Sequence, residues 1–447
     1  MGKPLRLGEV ITRFRERWLK LPDMRKPNNN TQYTVGDAAL SAFAVFFMQS
    51  ASFLAHQRDM NTRKGNCNAR TLFKIEQIPS DNQIRNLLDP VAPHHFGADF
   101  EWVHAQLQAS GHWERFRDYG GTLLIATDGL TYFSSERIQC PECLTRTDST
   151  GTMHYYHSAV TPVIVKPDCA QVLPLMPEFI VPQDGHDKQD CERAAMKRWL
   201  ARHSPLFPPH SVTYLGDDLY ANYPLCKAIA HTYEQYFVCV VKPESHPVLY
   251  DWLAMLEKAH AVETLRERRW NGRFAEHWTY RWASELPLRA GEGDDDLRVH
   301  WFELTITRAD TGEQLYHNTW GTNHPVSASN VAALAKVGRS RWKVENESNN
   351  TLKNNGYHLE HNFGHGRKHL STVLFALNLL AFLIHTAQDL VNEPYRLLRA
   401  TLAVRLTFFN DLRALTRYAI FDSWDALFRF MLEGLEVPIH PGLFFSD

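Results

Sequence analysis

Up to about residue 120 the apolar positions recur every three or four residues, the spacing of amphipathic helices. GDAALSAFAVFFMQSASFLAHQ is one such run. IPSDNQIRNLLDPV sets Ser80 as an N-cap before a helical stretch and Pro90 as its stop. The pattern then changes. GTLLIATDGLTYFSS, MHYYHSAVTPVIV and QVLPLMPEFIV read as three successive strands. DKQDCERAAMKRWLARH reads as a helix, SVTYLGDDLYANYPLC as a buried strand ending in two aspartates, and YFVCVVK as a further strand. Sequential antiparallel strands followed by alternating units predict an α/β fold, a mixed sheet with helices on both faces. The ribonuclease H-like arrangement is one such fold.

From about 245 to 320 the texture is that of a β-rich insertion. TLRERRWNGRFAEHWTYRWASEL and LRVHWFELTITRADTGEQLYHNTW alternate apolar and polar positions, with a DTG turn. The acidic run Gly291 to Asp296 reads as a solvated loop. Helical patterning resumes at SASNVAALAKVGRSRW and continues almost to the end. The expected divisions are a helical N-terminal region (1–118), an α/β core (119–244), the insertion (245–320), the remainder of the core (321–395) and a helical C-terminal region (396–447). LSTVLFALNLLAFLIH, Leu370 to His385, falls short of the ~20 residues a bilayer span needs, and Asn378 interrupts it. It reads as a buried core helix.

Composition adds limits. The chain has 447 residues, enough for several domains, and a formal net charge of −2. Bulk charge therefore argues nothing for nucleic acid, although a local basic patch would suffice. RFRERWLKLPDMRK, Arg13 to Lys26, is such a patch, with Phe14 and Trp18 interleaved. It suits a DNA-binding helix and equally an ordinary amphipathic one. Seven cysteines without a dense framework point to a reducing compartment. The first residues lack an apolar signal core.

Three acids stand out. Asp128 follows one apolar strand, Asp217 ends another, and Glu345 lies in RSRWKVENESNNTLKNNGYHLEHNFGHG. Each alone reads as a turn residue or helix cap. Together they offer the oxygen ligands that a hard divalent ion needs, brought from separate elements. Helical geometry stacks Arg341 under Glu345, with Asn349 on the same face.

Here the chain resembles the DDE transposases of bacterial insertion sequences, in the group whose ribonuclease H-like domain is interrupted by a β insertion. That group carries a Tyr-x₂-Arg-x₃-Glu-x₆-Lys motif, and GRSRWKVENESNNTLK matches it at Arg341 and Glu345, with Trp342 after the arginine. Gly338 stands where the tyrosine belongs. Lys353 is one residue late, about 80° off the Glu345 face of an ideal α-helix. Asp128 in IATDGLTYFSS is similar to the family's first acid. Asp217 in YLGDDLY is similar to its second, with Asp218 the alternative. Trp320 to Asn323, WGTN, looks like the last strand before the helix.

The resemblance implies two-metal phosphoryl transfer on DNA. Asp128, Asp217 and Glu345 would hold Mg²⁺, with Mn²⁺ as a substitute, and Arg341 and Lys353 would bind phosphate. Cleavage at terminal inverted repeats would free a 3′ hydroxyl that joins target DNA. A homodimer on paired ends, a cytoplasmic, nucleoid-associated bacterial setting and no membrane are implied as well. The alternatives are a nuclease of the same fold without strand transfer and an inactive DNA-binding relative. Tryptophans of the insertion could stack on an unpaired base or simply be buried. Separately, Cys140, Cys143, His154 and His157 have a spacing close to that of a zinc site, or belong to a hairpin with incidental cysteines. His361 and His365 carry no assignment.

Overall fold

The three β runs that follow the N-terminal helices each break once, and the halves join different sheets. In the structure, a computed structural model that describes residues 5–26, 32–182, 191–289, 297–440 and 443–444, the first run gives β1 (Leu123–Ala126) and β2 (Gly129–Ser135). After β3 (Leu144–Thr147), the second gives β4 (Met153–Val160) and β5 (Val163–Val165), and the third β6 (Leu173–Pro174) and β7 (Glu178–Ile180). The breaks fall at Asp128, Pro162 and Pro177. Proline cannot donate to a ladder and aspartate disfavours extended backbone, so each marks where a strand ends.

β8 (Val212–Gly216) and β9 (Tyr236–Val240) complete the central sheet. Its core order is β6-β5-β1-β8-β9, antiparallel from β6 to β1 and parallel from β1 to β9. Numbered by their place in that sheet the strands run 3-2-1-4-5, the ribonuclease H-like order. β2, β4, β3 and β7 form a second, four-stranded sheet.

The region from 245 begins with a helix rather than a strand, Pro247–Lys258. Pro247 opens it, and Leu249 and Leu253, four residues apart, are its buried side. Four strands follow: β10 (Glu263–Trp270), β11 (Ala275–Pro287), β12 (Arg298–Arg308) and β13 (Gln314–Thr322). They do not stand apart, because β13 pairs antiparallel with β9 and extends the central sheet to nine strands. The acidic run 291–296 lies outside the described residues.

The flanking helices share one hydrophobic core with the sheet. Every residue of the Val35–Phe47 helix is buried, and it packs on the helix Leu370–Val391. That helix is long and apolar enough to cross a membrane, yet 94% of its most apolar window is buried within the protein, which makes it a core helix. The C-terminal helices return to the N-terminal ones: Trp424 Nε1 donates to Leu72 O and Asn68 Nδ2 to Thr416 O. The basic stretch 13–26 is largely absorbed by this packing. Phe14 and Trp18 are buried, Arg17 pairs with Asp99 at 2.7 Å, and Arg15 lies 3.5 Å from Asp37. Those aromatic rings are therefore closed to stacking on bases.

Candidate active site at the ends of the parallel strands

Asp128 and Asp217 leave the sheet side by side. β1 and β8 are parallel, with Ala126 opposite Leu215, and Thr127 N donates to Leu215 O at 3.0 Å. Each aspartate is two residues beyond that pair, on strands spaced about 4.8 Å apart. The carboxyl ends of parallel strands are where open α/β sheets expose ligand sites. Asp218 faces elsewhere: its Oδ1 accepts from Lys242 N at 2.7 Å and lies 3.4 Å from His246 Nε2. Of the two, Asp217 is the one whose charge acts on Asp128.

Glu345 arrives from a different element. The helix Val331–Arg339 passes into a π-helical turn, Val344–Asn349, and then the short helix Asn350–Asn354. Asn349 anchors this segment to the first strand break. Thr161 N donates to Asp128 O at 2.9 Å, and Thr161 Oγ1 lies 3.2 Å from that oxygen and 3.4 Å from Asn349 Oδ1. Arg341 Nη2 binds Glu345 Oε1 at 2.6 Å, the i,i+4 pair expected of this face.

The π turn changes the position of Lys353. A π turn closes i→i+5 instead of i→i+4, so it takes one more residue per turn. The residue by which Lys353 is late is absorbed there. Its angular offset from Glu345 falls from about 80° to about 20°, the value for a seven-residue step on an α-helix. Lys353 Nζ lies 3.9 Å from Glu360 Oε1. Gly338 has an equally local cause. A Cβ there would lie 2.6 Å from Nε1 of Trp320, which is buried and stacked on Phe302. The indole from β13 fills the place beside the helix, and only glycine fits against it.

Asp128 feels the charge of the other acids. The Asp128 carboxyl is pushed up from 3.8 to about 7, first by burial and then by the negative charge of Glu345, against which Arg341 acts; Asp217 and Glu192 add to the rise. Among the described residues the three acids are not drawn together into a group that could hold a metal ion. Like charges repel, and the Arg341 ion pair holds Glu345.

Glu192 is an acid that sequence reasoning missed. It opens the helix Glu192–His203, a position that reads as an ordinary first-turn acid. Its carboxylate lies against the Gly129 backbone, where a Cβ would be 2.3 Å away, and Tyr220 Oη donates to it at 3.3 Å. Burial and then the Asp217 charge raise its pKa. Glycine immediately after the first aspartate was the available signal.

Beside the helix Val331–Arg339 lies an open cleft of about 660 Å³, lined in part by Arg269, Lys336, Arg339, Lys343, Trp278 and Trp342, with Asp168 paired to Lys336. Arg339 sits over the rings of Trp278 and Tyr316 at 5.3 and 4.8 Å. Of the insertion tryptophans, Trp282 and Trp301 are buried, whereas Trp270, at the β10–β11 turn, is 68% exposed.

The cysteine–histidine grouping differs from its sequence spacing. His154 and His157 are three apart on β4 and so face opposite sides of the strand. His154 Nε2 instead meets Asp148 Oδ2 at 2.9 Å. Cys140, Cys143 and His157 converge, and His365 takes the fourth place. His361 stays apart, edge-on to Phe363.

Fold and site together define an α/β protein with acidic side chains at the switch from antiparallel to parallel strands. No family model matches the chain, and no curated protein matches it in sequence. Among solved structures, it is similar to a piggyBac transposase synaptic complex with hairpin DNA, at a TM-score of 0.41 and 9% identity over 95% of this chain and 79% of that one. At that level the likeness transfers no function.

Proposed function

We propose that the chain is a metal-dependent DDE-type transposase that cleaves DNA at an element's terminal inverted repeats and joins the freed 3′ hydroxyl to target DNA. The observation that carries this reading is the juxtaposition of Asp128 and Asp217 on adjacent parallel strands, with the charge of Glu345 felt at Asp128. The donor set suits a hard divalent ion: it is all oxygen, and its negative charge is opposed within the chain by Arg341. Asp128, Asp217 and Glu345 would hold the ion. Mg²⁺, when bound there, neutralises phosphate charge and makes water a nucleophile at neutral pH.

The chain's own residues supply the rest. Thr161 links Asn349, on the Glu345 segment, to the Asp128 backbone. Arg341 is placed to exchange its carboxylate partner for a phosphate oxygen, a bidentate contact suited to guanidinium. Lys353, on nearly the same helical face, offers a second cation. The cleft of arginine, lysine and tryptophan along the helix Val331–Arg339 has the charge and π surfaces that a nucleic-acid strand engages. Two element ends handled together call for a homodimer.

The test uses purified chain, Mg²⁺ and labelled duplexes carrying the ends of the DNA that flanks the gene, chosen by inspection for inverted repeats. Expected are nicks at the repeat ends and joined products in a target plasmid. Cleavage without joining would reduce the reading to a nuclease, and neither product would remove it.

A further inference from the structure

Cys140 and Cys143 stand in a tight turn after β2, where Cys143 N donates to Cys140 O at 3.1 Å. His157 projects from β4, and His365 comes from the Gly-His-Gly turn before the Leu370–Val391 helix. That turn is fixed from outside. Gly364 and Gly366 have φ of +152° and +73°, and a Cβ on Gly366 would lie 2.1 Å from Asp89 Oδ1. The Asp89 carboxylate accepts from the backbone N–H groups of Arg367 and Lys368 at 3.0 Å each. His365 Nδ1 is 2.9 Å from Gly366 O. A carbonyl only accepts, so Nδ1 carries the proton and neutral His365 presents a bare Nε2 lone pair to the cluster.

The donor atoms are arranged as a coordination shell. Cys140 Sγ and Cys143 Sγ are 3.8 Å apart. His157 Nε2 lies 3.5 Å from each sulfur, His365 Nε2 lies 3.4 Å from Cys143 Sγ, and the two nitrogens are 3.2 Å apart. The remaining separation, Cys140 to His365, is within 4.8 Å. A tetrahedral zinc with Zn–S of about 2.3 Å and Zn–N of about 2.05 Å requires about 3.8 Å between sulfurs, about 3.6 Å between sulfur and nitrogen, and about 3.4 Å between nitrogens. Five of the six edges match that tetrahedron to within about 0.2 Å. Hydrogen bonding alone gives no reason for two thiols and two imidazole Nε2 atoms to point at a single centre. Cys143, His157 and His365 are buried, so the centre is shielded.

We propose that Cys140, Cys143, His157 and His365 bind one structural zinc ion that clamps the second sheet to the start of the core helix. Four protein ligands leave no open position, so this ion activates no water. It is chemically distinct from the acid site, since thiolate and imidazole select zinc whereas carboxylates select magnesium. The clamp joins the sheet whose β2 begins directly after Asp128 to the segment that directly follows the Glu345–Lys353 helices. The ion thereby braces the two parts of the chain that supply Asp128 and Glu345, whereas Asp217 comes from β8.

The test is metal content, measured on the full chain without DNA and therefore independent of the transposase reading. Protein purified in Mg²⁺ buffer without added zinc should contain about one zinc per chain by mass spectrometry, released when a mercurial reagent blocks the thiols. Cys143→Ser and His365→Ala should each lose it, while His154→Ala should keep it. Because either losing variant could fail to fold, cobalt is exchanged into the wild type as well. Tetrahedral cobalt with thiolate charge-transfer absorption is expected, and it should persist in the ligand-conserving His365→Cys variant. A chain with no zinc before or after reconstitution would overturn the proposal. So would full stoichiometry in His365→Ala, or loss in His154→Ala.

Discussion

Replacing Asp128 by Asn removes a buried charge while keeping its shape, and the consequence depends on pH. The folded-state pKa of Asp128 is about 7 against an ordinary 3.8. An acid shifted upward favours folding fully below its unfolded value, and the contribution is lost as pH rises through the folded one. Between about pH 4 and pH 7 the metal-free wild type should therefore lose stability. At about 1.36 kcal/mol per pH unit the full shift amounts to about 4 kcal/mol. Solvent reaches this half-buried group and screens the neighbouring charges, which brings the expected loss nearer to about 2 kcal/mol. Asp128→Asn should not lose it. Urea melts of both proteins in chelator at pH 5 and pH 8 give the difference of differences, in which any constant cost of the substitution cancels. Saturating Mg²⁺ should restore wild-type stability at pH 8, because a ligand for the folded state stabilises it, and should do far less for the variant. Parallel pH curves for the two proteins would refute the argument that Asp128 sits in a shared acidic site.

Glu345→Gln should lower DNA cleavage by about 10³-fold or more, the scale of several kcal/mol of transition-state charge stabilisation, while gel-shift affinity for the same duplex stays within about threefold. Asp217→Asn should match it in cleavage assays, whereas Asp218→Asn, whose carboxylate receives Lys242 N and faces His246, should keep most activity. Gly338→Ala puts a methyl group 2.6 Å from the buried Trp320 indole and should cost about 1–3 kcal/mol in denaturant melts, with Gly338→Tyr failing to fold.

The parts of this fold that follow from local pattern were legible in the sequence. The Ser80 cap appears as a capping box on the helix Asp81–Leu88, and the alternation of the insertion appears as four long strands. The division of the three early β runs between two sheets was not legible, because periodicity locates a strand but does not name its partner. The helix Pro247–Lys258 escaped because its buried residues are few and its neighbours alternate. The cysteine–histidine cluster was half visible. Strand geometry excludes one histidine of His154 and His157, but only long-range folding brings His365, more than two hundred residues away, into the vacated place.

Two departures from the motif that the sequence resembles have separate physical origins. At 338, β13 fills the space with Trp320, so a side chain on the helix there would compete with a core indole. At 353, the extra residue enters a helix whose turn widens to receive it. Motif spacing measures residues along the chain, whereas a phosphate or a metal ion meets angles and rises around an axis. The two agree only while every turn has the α period. An inserted residue inside Val344–Asn349 therefore changes the spelling of the motif more than the direction in which Lys353 points. The same substitution-tolerant logic does not extend to Glu345, which stands before the widened turn is complete and is held directly by Arg341.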